Sequence, residues 1–172
     1  MVRRVTAHSG RVAVMGAGTS NLVRELDHHG YVVVAVDISA AALRQLEATL
    51  HKPSRIELVV ADVRSVQLSE PVDTWHDRAV FHFFTTAADQ DAYVLRVRST
   101  LRVGGHVVLA TFAPDGPEQC SGLPVARHDT RSISARFGDA FAIVDSFELD
   151  HQTPWGTPQR FTHVVLRHVG AP

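Results

Sequence analysis

Arg11-Val12-Ala13-Val14-Met15-Gly16-Ala17-Gly18-Thr19-Ser20 is the stretch that decides the fold. A short continuous apolar run that ends on glycine suits a strand buried on both faces. Residues 20–29 then set Leu22, Val23 and Leu26 on one side of a helix, and Gly30 stops it. The pattern repeats. Tyr31-Val32-Val33-Val34-Ala35-Val36 reads as a second buried strand ending at Asp37, and Ser39 can cap a helix with Leu43, Leu46 and Leu50 on its apolar stripe. Ile56-Glu57-Leu58-Val59-Val60 is a third strand, with Asp62 just past its end. Strands alternating with helices predict a mostly parallel sheet covered on both faces.

The rest of the chain continues this order. Residues 72–77 suit a strand, 80–84 a short helix and 89–101 a longer one. Gly104-Gly105 predicts a turn into a strand over 106–112. Residues 113–127 form a loop rich in Pro and Gly, placed where loops often carry function. Asp129 can cap a short helix that Gly138 ends. Strands over 141–149 and 161–168 flank Thr153-Pro154-Trp155-Gly156-Thr157-Pro158, which predicts an antiparallel pair with Trp155 as a packing anchor.

At 172 residues, residues 1–10 read as a short N-terminal extension and 11–172 as a single domain. A hydrophobic share of 45% is enough for a core. A net charge of −1 gives no bulk field for nucleic acid or membrane surfaces. One cysteine, Cys120, allows no intrachain disulfide and suits the cytoplasm. No apolar run approaches the roughly 20 residues that a membrane helix needs.

In a sheet of this kind ligands bind beyond the carboxyl ends of the strands. Three such ends carry Gly16, Asp37 and Asp62. Gly16-Ala17-Gly18 lets the backbone approach a ligand closely, and the amino end of the following helix favours an anionic group. Asp37 stands twenty-one positions after Gly16, where an acid accepts hydrogen bonds from ribose hydroxyls. Asp62 is placed to accept from an adenine amino group. Together the three describe a pocket for an adenosine-bearing ligand.

The order Val12 to Ser20, Val36-Asp37-Ile38-Ser39 and Val60-Ala61-Asp62-Val63 resembles the S-adenosylmethionine (SAM) site of class I methyltransferases. Leu101-Arg102-Val103-Gly104-Gly105-His106 is similar to that family's turn before the fifth strand, with Val103 where Pro is usual. Trp75-His76-Asp77-Arg78-Ala79-Val80-Phe81-His82-Phe83, Phe112 to Pro117 and Cys120-Ser121-Gly122-Leu123-Pro124 resemble a bacterial subgroup of small members. The resemblance covers about residues 11–168. It implies an α/β, Rossmann-like three-layer sandwich, with a mostly parallel seven-stranded sheet and a C-terminal antiparallel hairpin. It also implies SAM as cofactor. Gly16, Ala17, Gly18 and Thr19 would hold the methionine part, Asp37 the ribose, Ile38 the adenine face, and Asp62 with Val63 the adenine edge. Two features depart from the family. Val14 stands where an acid is usual, and about ten residues precede the first strand where the family carries covering helices.

Asp77, at the expected tip of the fourth strand, is the family's contact near the methyl group and a candidate for catalysis. His82, just beyond, is a second candidate, because an imidazole can take a proton near neutral pH. Each also has a structural reading, Asp77 as a helix cap and His82 as a packing residue. His76 should point away from Asp77 and ranks lower. Cys120, His106 and His128 match no metal-ligand spacing, so no metal is expected. The expected function is methyl transfer to a small molecule, with no nucleic-acid or membrane partner and a homodimer left open. The alternatives are a SAM-binding scaffold without turnover, or a lyase or isomerase on the same fold. A nicotinamide dehydrogenase fits least, since Asn21 stands where its third glycine belongs.

Overall fold

The strand β1, Arg11–Met15, lies inside the sheet, next to its central strand. The computed structural model describes residues 1–51, 55–153 and 156–170. Before β1 comes a four-residue helix, α1 (Val2–Val5). After it follow α2 (Asn21–His28), β2 (Val32–Asp37), α3 (Ala40–Glu47), β3 (Ile56–Val60) and β4 (Val72–Arg78). A 3-10 turn over Phe81–Phe83 leads to α4 (Ala87–Thr100) and β5 (Leu101–Phe112). Two short strands, β6 (Gln119–Cys120) and β7 (Leu123–Pro124), pair in the next loop. The chain closes with α5 (Thr130–Phe137), β8 (Phe141–Gln152) and β9 (Pro158–His168).

Seven strands form one sheet in the order β3-β2-β1-β4-β5-β9-β8. The pairs from β3 through β5 are parallel, and β9 runs antiparallel to both β5 and β8. This is the mostly parallel, Rossmann-like sandwich with a closing antiparallel hairpin that the sequence predicts. Side chains alternate between faces, so each strand feeds two cores. One face packs Ala13, Met15, Trp75 and Leu109 against Tyr93, Val97, Ile133 and Phe137 of α4 and α5. The other packs Val12, Val14, Val33 and Ala35 against Val23, Leu26, Leu43 and Leu46 of α2 and α3.

The predicted caps Ser39 and Asp129 are present, accepting from backbone N–H groups at the starts of α3 and α5, and Ser20, expected inside the helix, caps α2 in the same way. Residues 1–10 are tied to the sheet, with Val2 buried beside that second core and the Thr6 hydroxyl 2.7 Å from that of Thr74. Two elements differ from expectation. Leu101 already pairs with Val72, and pairing then resumes at Thr74 and His106, so the glycine turn is a bulge inside β5. Gly105 is needed there because a Cβ would lie 2.8 Å from the Asp73 carbonyl oxygen. The loop over 113–127 is not irregular throughout, because β6 and β7 fold within it. Trp155, the expected packing anchor, lies outside the described residues.

Candidate functional site

The carboxyl ends of β1, β2 and β4 open into two cavities that meet at Gly16 and Arg78. The first, about 620 Å³, is lined by Val36, Asp37, Ile38, Asp62, Val63 and Arg64 on one side. Ala79, Val80, Phe83, Phe84 and Leu123 line the other. The second, about 550 Å³, is lined by the turn from Met15 to Leu22 together with His76 and Arg78.

Gly16 adopts φ +59°, and a Cβ there would sit 2.3 Å from Val80 Cγ2. The turn therefore needs glycine for its conformation and for its packing. Gly18 adopts φ +49°, and a Cβ there would meet nothing closer than Asp37 Oδ2 at 3.9 Å. Space beside Gly18 is open, so this backbone can come close to a ligand. The N–H of Gly18 donates to Asp37 Oδ2 at 2.8 Å, and the N–H of Ser39 donates to Oδ1 at 2.8 Å. Asp37 thus ties the ends of β1 and β2 together while bordering the first cavity.

Ile38 is 77% exposed on the cavity wall, an apolar surface that a flat ring can cover. Val63 lines the same side of the cavity and is largely buried. Asp62 lines the cavity too, but its carboxylate is engaged. The Arg64 side chain donates to it at 2.5 and 3.0 Å, and the Arg64 N–H at 2.8 Å. That hydrogen bonding holds the Asp62 carboxyl below the usual range. Arg64 also pairs with Asp89 and lies over the Phe84 ring at 5.3 Å. Ala17 and Thr19 line the second cavity. Val14 lines neither cavity and is 2% exposed within the core against α2 and α3.

The two catalytic candidates line neither cavity. Asp77 is fully buried and faces α4. It accepts from the Val80 N–H at 2.9 Å, the Phe81 N–H at 3.1 Å and the Tyr93 hydroxyl at 2.7 Å. Tyr93 in turn accepts from Trp75 Nε1 at 2.9 Å. Asp77 is the cap of the turn after β4. Burial pushes its carboxyl up to about 6 despite those three donors. His82 is fully buried between the rings of Phe83 and Phe112, with centroids 4.7 and 4.6 Å away. Neither ring nitrogen has a hydrogen-bond partner among the described residues. Burial first, and His128 second, lower its pKa to about 4.

On the opposite face of β4, His76 and Arg78 do reach the second cavity. Strand alternation puts His76 and Asp77 on opposite sides, as expected; the sequence does not reveal which side is open. No three His, Cys, Asp or Glu side chains among the described residues are arranged to hold a metal ion.

Strand order, the glycine turn and the acid after β2 define a class of protein, the Rossmann-like fold of SAM-dependent methyltransferases. Residues 12–105, more than half of the chain, match the family described as Methyltransferase domain, and the protein belongs to that family. A SAM-dependent methyltransferase from Methanosarcina mazei superposes with a TM-score of 0.80 at 16% identity, over 99% of this chain and 97% of that one. The 1,6-didemethyltoxoflavin-N1-methyltransferase of Burkholderia thailandensis, solved with 1,6-didemethyltoxoflavin and S-adenosylhomocysteine, gives 0.77 at 19% identity over 95% and 72%. The N-methyltransferase NodS of Bradyrhizobium japonicum, with S-adenosylhomocysteine, gives 0.75 at 13% over 94% and 79%. These likenesses concern the fold. No curated protein matches the sequence.

Proposed function

We propose that the protein is a SAM-dependent methyltransferase acting on a small-molecule nucleophile. One observation carries this reading: Asp37 accepts the N–H of Gly18 at the mouth of a cavity where the glycine backbone stands open. Residues 11–172 then form one SAM-binding unit. In it Asp37 takes the ribose hydroxyls, Ile38 and Val63 enclose the adenine, and Asp62 shares its edge with Arg64. Gly16 to Thr19 and the amino end of α2 receive the methionine part. Bound SAM supplies an electrophilic methyl group on a sulfonium.

Alignment of the acceptor does most of what such a transfer needs, and a general base is not essential. The open faces of His76 and Arg78, not the buried Asp77 and His82, are the groups available to position the acceptor. The toxoflavin-family substrate of the Burkholderia neighbour is a small molecule, which supports the same scale of acceptor here. The net charge of −1 favours no nucleic-acid partner, and no described helix is long and apolar enough to cross a membrane. The single cysteine suits work in the cytoplasm.

Calorimetric titration with SAM and S-adenosylhomocysteine tests the reading. Both should bind the protein with one site per chain. Failure of both to bind at about millimolar concentration, the weak end of specific affinity, overturns the cofactor assignment.

A further inference from the structure

Arg78, His76 and His163 form a cluster on one face of the sheet; Arg78 lines both cavities and His76 the second. Arg78 on β4, Ala110 on β5, His163 on β9 and Phe147 on β8 are register partners, so they stand in one row across the same face of the sheet. Ala110 contributes only a methyl group between Arg78 and His163. His76 occupies the adjacent row, beside Val108 and Val165. His163 is stacked on Phe147, with centroids 4.9 Å apart and planes 9° apart. The Arg78 guanidinium lies over the Phe161 ring at 5.5 Å. These contacts fix the orientation of Arg78 and His163.

The charge of this cluster is uncompensated. No carboxylate lies within ion-pair distance of Arg78 among the described residues. Burial, and then the Arg78 charge, lower both imidazoles, His76 to about 4. Near neutral pH both rings are therefore neutral beside the Arg78 charge, each able to donate one N–H. His76 Nδ1 is buried and has no partner among the described residues.

We propose that Arg78, flanked by His76 and His163 where the two cavities meet, is the specificity-determining anchor for an acceptor bearing a carboxylate. This rests on the SAM-dependent reading above. A guanidinium matches a carboxylate in charge and in its two-pronged geometry. The carboxylate of the cofactor itself is served by the glycine turn and the amino end of α2.

The test uses benzoate as the probe and benzamide as its neutral isostere, titrated into the full-length protein saturated with S-adenosylhomocysteine. Benzoate should bind about tenfold more tightly than benzamide. In Arg78→Met that preference should vanish, and Arg78→Lys should keep part of it, because the charge remains and the fork is lost. S-adenosylhomocysteine should still saturate both variants, so that the two probes are compared on the loaded protein. Equal binding of the two probes, or binding of neither, overturns the proposal. Loss of S-adenosylhomocysteine affinity in Arg78→Met also overturns it, by assigning Arg78 to the cofactor. If the wild type fails to bind S-adenosylhomocysteine, the underlying reading falls instead, and this is seen before any probe is added.

Discussion

Gly16 and Val80 pack so tightly that a single added carbon on Gly16 would lie 2.3 Å from Val80 Cγ2. The contact joins the turn after β1 to the turn after β4, and both border the first cavity. Gly16→Ala meets two costs, the clash and an L-residue at φ +59°, the latter about 1–2 kcal/mol. Adding Val80→Ala removes only the clash. The single variant should therefore lose thermal stability and S-adenosylhomocysteine affinity, and the double variant should recover part of both. Differential scanning calorimetry and titration calorimetry read these two quantities; a double variant no better than the single one would show that the contact is not the limit.

Asp37 makes a second prediction because its two oxygens already serve Gly18 and Ser39. Asp37→Ala should weaken SAM binding by about 1–3 kcal/mol, the cost of an unsatisfied buried group. Asp37→Asn should lose nearly as much, since an amide keeps only one acceptor oxygen and must abandon either the Gly18 or the Ser39 N–H. Titration calorimetry on both variants checks this. Near-wild-type affinity in the amide variant would count against the role.

These two sites were legible in the sequence for a physical reason. A glycine turn after a buried strand, and an acid at the next strand end, are constrained by backbone geometry, which local sequence records. The β4 region was less legible. Alternation puts Asp77 and His76 on opposite faces, but only the packing of Tyr93 and Trp75 against Asp77 shows which face is closed. Asp62 was found at its place on the cavity wall, yet the claim of Arg64 on its carboxylate depends on a side-chain conformation that spacing does not encode. Val14 lies in the core and not at the cavity, so the missing acid there removes no group from the lining residues.

Asp77 predicts a pH effect on stability. Its folded pKa is raised by burial to about 6, above the ordinary 3.8. Between those values the folded state holds a proton that the unfolded state has released, so stability falls as pH rises through that window. The full effect is about 3 kcal/mol. Asp77→Asn has no such titration. The stability of the wild type relative to Asp77→Asn should therefore drop as pH goes from 4 to 7, measured by urea unfolding at each pH. A constant difference would refute the assignment.

His82 acts in the opposite direction. Its pKa is depressed from 6.5 to about 4, so the neutral ring contributes stability that is lost as pH falls through that range. His82→Leu replaces two unpartnered ring nitrogens with an apolar side chain of similar volume between Phe83 and Phe112. The variant should unfold at lower pH than the wild type in an acid titration followed by tryptophan fluorescence. Methyl transfer should survive, because His82 lines neither cavity. An unchanged acid midpoint would remove His82 from the account.

The β6–β7 hairpin is the remaining element that can cover the cofactor. Its turn uses Ser121 at φ +52° and Gly122 at φ +78°, a tight reversal. Its base is held by the Ala126 N–H on the His82 carbonyl at 2.8 Å and the Val125 N–H on the Glu118 carbonyl at 3.1 Å. From this frame Leu123 lines the first cavity while remaining 57% exposed. An apolar side chain left so open gains from burial against a bound purine, at roughly 25 cal/mol per Å² of area removed from water. Leu123→Ala should weaken S-adenosylhomocysteine binding several-fold, and Leu123→Asp more strongly. The cofactor should also protect residues 113–127 from limited proteolysis. Mass in solution separates two sources of cover. Protection in a monomer means that the hairpin closes the site, and protection only in a dimer means that a second copy does. Equal cleavage with and without bound cofactor, together with an unchanged affinity in Leu123→Ala, would show that the hairpin is no lid and leave the first cavity open to water.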